Sequence, residues 1–330
     1  MVKLRCVEFR AGEIRWAERP MPELKPGEAL VKPLLAGICN TDIELLRGYY
    51  NFSGVAGHEF VGLVVQAPGN EAWEGQRVTA EINIGCGNCA WCLTKDARHC
   101  ATRKAIGIKG WDGAFAEYLK VPVSLLHKVD DALSSEEAVF AEPLAAALEI
   151  SQQIHIKNSD RVVVLGDGKM GLLISLALRI FNGDLLLVGK HQAKLTIAAE
   201  QGVKTFQLKS PYEVKQVLGN YGQFDLVIEA TGNPQGINDA LDLVRPEGII
   251  VAKTTSHETS ELNLAKLVVN EITLMGSRCG DLGLALHFLK EKRLNVLPLI
   301  EDVYPFDRFE EAMARACQKG SKKVLVKWEK

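Results

Sequence analysis

Up to about residue 125 the apolar positions come in short, β-like runs separated by Gly- and Pro-rich turns, as at residues 29–33, 61–66, 77–81 and 115–121. Runs this short, interrupted this often, predict an antiparallel, irregular, barrel-like domain. Ser134 and Glu137 then stand three apart ahead of an Ala/Leu-rich run. That is the spacing of a capping box, so a helix is expected to begin there. Pro143 falls inside the same run and predicts a kink.

From Asp160 the texture changes. Residues 162–165 are continuously apolar, the mark of a strand buried on both faces of a parallel sheet. A glycine-rich turn follows, then a helical stretch over 172–181 that Asn182 and Gly183 end, then a second strand over 185–188. Further strands are expected at 226–229, 249–252 and 272–275, with helical stretches such as 234–244 between them. Alternating β and α units of this kind imply a doubly wound parallel sheet, so the chain reads as α/β. The tail from 297 to 330 has mixed character, with a helix at 309–319 and a strand at 323–328. The chain carries no internal repeat or low-complexity tract.

Length and composition refine this picture. A chain of 330 residues accommodates two domains at about 100–200 residues each. With 47% hydrophobic and 24% charged residues, it has the make-up of a globular protein with a sizeable core. A net charge of −2 leaves no electrostatic footprint for nucleic acid or an anionic membrane. The first twenty residues include Glu8, Arg10, Glu13, Arg15 and Glu18. Neither a signal peptide nor a membrane span is expected, and the sequence reads as cytoplasmic.

Three clusters carry candidate chemistry. Gly166, Gly168 and Gly171, with Lys169 and Met170 between the last two, form Gly-x-Gly-x-x-Gly between a predicted strand and a predicted helix. There a turn, a close backbone approach and a helix N-terminus can receive a pyrophosphate. The acidic residue that holds the ribose 2′-hydroxyl of NAD is expected at the end of the second strand. That position is Gly189, followed by Lys190 and His191 with Lys194 nearby, while Asp184 comes too early. Missing acid and added cations favour NADP(H) over NAD(H).

Cys86, Cys89, Cys92 and Cys100 fall within fifteen residues. In a cytosolic protein such clustering indicates metal rather than disulfides. Four thiolates can close a tetrahedral zinc shell with no open position, hence a structural site; an iron–sulfur cluster is the competing ligand reading. Cys6, Cys279 and Cys317 read as small buried hydrophobes. Cys39, His58 and a carboxylate, Glu59 or Glu142, could hold a second, open zinc site. Their spacing alone does not establish that they meet.

These residues lie in stretches that resemble the zinc-containing medium-chain dehydrogenase/reductase family, nearest its sorbitol, threonine and polyol dehydrogenase branches. The stretches are GICNTD (37–42), GHEFVG (57–62), GCGNCAWC with Cys100, DGAFAEYLKVP (112–122), AEPLAAAL (141–148), VLGDGKMG (164–171), VIEATG (227–232) and EITLMGSRCG (271–280). The resemblance implies a GroES-like irregular β-barrel catalytic domain over 1–150, completed by 281–330, and a Rossmann domain over 151–280. It implies catalytic zinc on Cys39, His58 and either Glu59 or Glu142, with Thr41 taking the substrate proton and Thr231 near the cofactor. The next relay position often carries histidine in the family and here is Glu44; Lys253 and Cys279 are also unusual for their positions.

The implied activity is hydride transfer between a small alcohol or polyol, or its carbonyl counterpart, and NAD(P), with two zinc ions per chain and a homodimer or homotetramer. A zinc-free quinone or enoyl reductase and a non-enzymatic nucleotide or redox sensor are the rival readings on this fold. A DNA-binding zinc ribbon is disfavoured by the acidic balance.

Overall fold

Strand Glu28–Ile38 is buried along most of its length and organises the first part of the molecule. The computed structural model describes residues 3–94, 96–210, 214–255 and 259–328. Its contacts divide the chain into one unit of Met1–Glu142, Leu282–Glu291 and Ile300–Lys330, and another of Pro143–Asp281 and Lys292–Leu299.

In the first unit the described strands of the main sheet run Leu126–Lys128, Arg77–Ala80, Glu59–Gln66, Glu28–Ile38, Lys323–Lys327 and Ile300–Pro305, with Leu119–Pro122 also pairing with Glu28–Ile38. Most pairings are antiparallel; the two tail strands are parallel to each other. A smaller sheet joins Glu13–Pro20, Lys3–Arg10 and Gly54–Val55. Its core is aromatic: Phe9, Phe60, Phe115 and Phe309 are fully buried, and the rings of Phe115 and Phe309 lie 4.7 Å apart. Phe309 belongs to the tail helix Phe309–Ala316, so the last part of the chain supplies a wall of a core that the first part begins. This is the GroES-like barrel.

Two expectations need correction here. The apolar run at 115–121 is a strand only over Leu119–Pro122; Phe115 instead exchanges backbone hydrogen bonds with Val7 and Ala56 as an irregular crossing. Pro143 does not kink a helix. Ser134 caps the short helix Ser135–Ala138 through its bond from the Glu137 N–H, and a new helix, Ala141–Gln153, begins with Pro143 in its first turn, where a missing N–H costs nothing.

The second unit holds a six-stranded parallel sheet in the spatial order Lys204–Gln207, Leu185–Gly189, Val162–Leu165, Phe224–Glu229, Val244–Ala252, Thr273–Gly276. Counted along the chain, that is 3-2-1-4-5-6, the Rossmann order. Val162–Leu165 is buried at every residue, as its unbroken apolar run requires. The predicted helix at 172–181 occupies Lys169–Leu178, and that at 309–319 ends at Ala316. The last two residues of the tail lie outside the described residues. Among the described residues no helix is long and apolar enough to cross a membrane.

Candidate active site

Strand register gathers residues that are distant in sequence. Gly37 pairs with Glu59 on one side and with Leu325 on the other. Cys39 follows the end of the central strand, His58 immediately precedes Glu59, and Lys323 opens the neighbouring tail strand. A Cβ on Gly37 would lie 2.6 Å from Glu59 Oε2 and 3.2 Å from Lys323 Cδ. Glycine at this position leaves room for the two side chains to meet across the strand.

The ligand atoms of Cys39, His58 and Glu59 all lie within 4.8 Å of one another. Asp42 holds this group from behind. Its Oδ2 accepts the Cys39 backbone N–H at 2.8 Å, completing a capping box on helix Asn40–Leu46, and its Oδ1 lies 3.4 Å from His58 Nδ1. A carboxylate behind a histidine orients the ring and leaves the other nitrogen for a metal. Burial disfavours charge on the His58 imidazole, but Asp42 and Cys39 outweigh it and hold its pKa well above the ordinary value.

Glu59 is buried, with Oε2 accepting from Lys323 Nζ; among the described residues its Oε1 has no hydrogen-bond partner, nor have Asp42 Oδ1 and His58 Nδ1. Burial of Lys323 lowers its affinity for a proton; Glu59 more than restores it. A buried carboxylate oxygen with no donor, beside a thiol and an imidazole, fits a divalent soft-to-borderline cation. Glu142 is not part of this tight set. Burial, with Glu59 adding to it and His58 opposing, pushes its carboxyl up to about 7. Thr41 is half-buried, its Oγ1 3.7 Å from Cys39 Sγ, and Glu44 on the same helix accepts from Arg47 at 2.9 Å.

The four remaining clustered cysteines also converge: the sulfurs of Cys86, Cys89, Cys92 and Cys100 lie within 4.8 Å of one another, with Cys89 and Cys92 at 3.5 Å. A tetrahedral ion with bonds of about 2.3 Å would set its sulfurs roughly 3.8 Å apart. The Thr102 hydroxyl leads the influences that draw the Cys100 thiol down to about 6. A Cβ on Gly85 would sit 2.5 Å from Cys92 Sγ, so that glycine keeps the sulfur's place open. All eight cysteines are free of disulfides.

In the second unit Gly166 has φ +107° and Gly171 packs against the Gly166 carbonyl so closely that a Cβ would overlap it. Gly168 is the N-cap of helix Lys169–Leu178, with open space where its Cβ would point. Lys169 and Met170 are half-buried in the first turn. Thr231 donates its hydroxyl at 2.6 Å, and its N–H at 2.8 Å, to the buried Glu229, which also accepts from Thr254 at 2.8 Å. Gly189 is buried at the end of its strand, Lys190 is exposed and Lys194 is buried. Asp167, from the glycine turn itself, fills the space beside Gly189.

Sequence reasoning missed Asp42, Lys323, Asp167 and Glu229. Asp42 had a usable signal, three residues after Cys39 at the start of a helix. Lys323 had none, because only strand pairing brings it to a partner 264 residues away.

The sequence pattern of the alcohol dehydrogenase GroES-like domain matches residues 25–131. That of the glucose dehydrogenase C-terminus matches residues 138–327, more than half of the chain. The chain belongs to the zinc-containing medium-chain dehydrogenase/reductase family. Among relatives of this medium-chain dehydrogenase, D-arabitol-phosphate dehydrogenase of Enterococcus avium is 28% identical over 95% of this chain and 94% of its own. A short chain alcohol dehydrogenase from Escherichia coli CFT073, complexed with NADH, superposes with TM-score 0.91 at 26% identity, covering 99% of this chain and 100% of its own. A zinc-binding dehydrogenase from Sinorhizobium meliloti 1021, bound to NADP, gives 0.89 at 28% identity with coverage of 99% and 100%.

Proposed function

We propose that this medium-chain dehydrogenase is a zinc-dependent oxidoreductase. It moves a hydride between a small alcohol or polyol, or the corresponding ketone or aldehyde, and a nicotinamide dinucleotide. The observation that carries the reading is the meeting of Cys39, His58 and Glu59, with an orphaned carboxylate oxygen, in one buried cluster. The relative named for D-arabitol phosphate favours a polyhydroxylated substrate.

Cys39 and His58 would hold the catalytic ion, with Glu59 the nearer carboxylate and Glu142 behind it. When bound there, zinc supplies Lewis-acid stabilisation of charge on the substrate oxygen, and the dinucleotide supplies or accepts the hydride. Asp42 fixes the His58 ring, so that the metal-facing nitrogen keeps one orientation. Lys323 holds Glu59 by one oxygen and leaves the other for the ion. Thr41 would accept the substrate's hydroxyl proton while passing its own hydroxyl proton on towards solvent in the oxidative direction, with both transfers reversed in the reductive one. Glu44 stands one turn along the same helix.

Cys86, Cys89, Cys92 and Cys100 would hold a second zinc with no position left for substrate, giving two ions per chain. In the nucleotide unit Gly166, Gly168 and Gly171, with Lys169 and Met170, would receive the pyrophosphate, and the turn at Thr231 would border the cofactor. The preference for NADP(H) rested on a strand end without a carboxylate. Asp167, beside Gly189, supplies a carboxylate there and weighs against that preference.

We assign the enzyme to the cytoplasm, where eight cysteines outside disulfides remain reduced. A homodimer or homotetramer is supported by the edge strand Thr273–Gly276 with Leu274 exposed, following the exposed Leu264, Val268 and Val269; a solution mass of two or four chains tests it. A panel of alcohols, polyols and ketones, assayed with both dinucleotides, tests the activity. Turnover of at least one secondary alcohol or polyol is expected, whereas reduction of quinones or enones alone would favour the zinc-free reductase reading.

A further inference from the structure

The carboxylate expected at the end of the second Rossmann strand is not absent from the fold; it arrives from another element. Gly189 closes strand Leu185–Gly189 without a side chain. The point where its Cβ would stand lies 2.5 Å from Asp167 Cβ and 2.6 Å from both Cγ and Oδ2. Asp167 is the residue between Gly166 and Gly168 of the pyrophosphate turn. No side chain can occupy position 189 while Asp167 keeps its place, so the two residues form a matched pair. The acid stands on the turn, and glycine at the strand end leaves it room.

The carboxylate is held firmly. Oδ2 accepts the backbone N–H of Lys190 at 2.7 Å and of His191 at 2.6 Å, and His191 Nδ1 lies 3.1 Å from each oxygen. Among the described residues the hydrogen-bonding contact of Oδ1 is the imidazole, leaving acceptor capacity, since a carboxylate oxygen carries two lone pairs. A rigid, charged acceptor at the end of this strand is what an adenosine ribose requires.

We propose that Asp167 reads the adenosine ribose by accepting from its 2′-hydroxyl, and that it thereby selects NAD(H) against NADP(H). The proposal rests on the dehydrogenase reading above and adds the cofactor choice to it. A 2′-phosphate in that place would meet a buried carboxylate whose two backbone donors are already in use. Two of the cations that suggested a phosphate are engaged elsewhere: His191 faces Asp167, and Lys194 is buried in helix Gln192–Glu200 with a partner of its own. Lys190 is exposed. The shallow pocket lined by Lys190, Gln207, Leu208, Lys209 and Ser210 is where a 2′-phosphate would have to be taken if the proposal is wrong.

Equilibrium binding of NADH and of NADPH to the full-length, zinc-loaded protein, followed by the change in nicotinamide fluorescence, tests this without turnover. Wild type is expected to bind NADH at least about tenfold more tightly than NADPH, the worth of one charge-assisted hydrogen bond. Asp167→Asn should lose most of that ratio by weakening NADH, leaving NADPH equal or tighter. The paired change Asp167→Gly with Gly189→Asp returns the acid to the strand end and should restore the preference, which a purely structural role for Asp167 would not allow. Tighter NADPH binding by wild type, or equal loss of both ligands in Asp167→Asn without recovery in the paired variant, would overturn the assignment. Binding of neither dinucleotide would overturn the dehydrogenase reading itself, and the assignment with it.

Discussion

Asp42 does two jobs with two oxygens. One accepts the Cys39 N–H and so fixes the thiol at the start of its helix; the other faces the His58 ring. Asp42→Asn keeps the shape but weakens the hold on the imidazole. Loss of such a partner costs about 10–100-fold in metal affinity, and competition with a chelator should show that loss at the catalytic ion alone. Unchanged affinity would remove Asp42 from the account. Lys323 and Glu59 form a fully buried ion pair. Lys323→Met strands a buried carboxylate, so the denaturant midpoint should fall by the equivalent of about 3–5 kcal/mol. A midpoint equal to wild type would mean that Glu59 does not depend on it. The candidate ligands themselves were legible in the chain because thiol, imidazole and glutamate sit in glycine-flanked turns. Their partners were not, since a cation across two strands leaves no mark in local sequence.

At the scale of elements, buried parallel strands were the plainest part of the sequence. Val162–Leu165 and Leu185–Gly189 are apolar throughout because both faces are covered, and the glycine turn after the first marks where the helix begins. The barrel strands were harder. Phe115 looks like strand by composition yet serves as a core aromatic in an irregular crossing, and Pro143 looks like a breaker yet opens a helix. In both cases tertiary packing or helix-end geometry decides what propensity cannot. The tail strand Ile300–Pro305 was not foreseen because its burial alternates too weakly to stand out.

With an ion on its four cysteines, the lobe would owe much of its order to that ion, since Asn83–Ile84, Lys104–Ile106 and Gly110–Trp111 make only a small sheet. Cys92→Ser is therefore expected to lower the melting temperature and remove one zinc while leaving kcat little changed in the protein that remains folded. Loss of one ion at an unchanged melting temperature would contradict a structural role.

For the whole molecule, a single chain builds its first unit from both of its ends. The Phe9 to Phe309 contact, with ring centroids 6.3 Å apart, joins the opening strand to the tail helix. Chain-wide periodicity predicted the two architectures, and motif order predicted the family. The expected NADP(H) preference depends on the lack of an acid at one strand end, whereas the fold sets Asp167, from a turn some twenty residues earlier, beside that position; the comparison of NADH with NADPH binding decides between the two dinucleotides.

The central claim is that one ion sits on Cys39 and His58 and that catalysis depends on it. Zinc content per chain, measured on wild type and on Cys39→Ser, tests it most directly when turnover is followed on the same samples. The account predicts two zinc ions in wild type, one in the variant, and loss of turnover with dinucleotide binding retained. A variant that still holds both ions, or one that turns over near the wild-type rate, would contradict it.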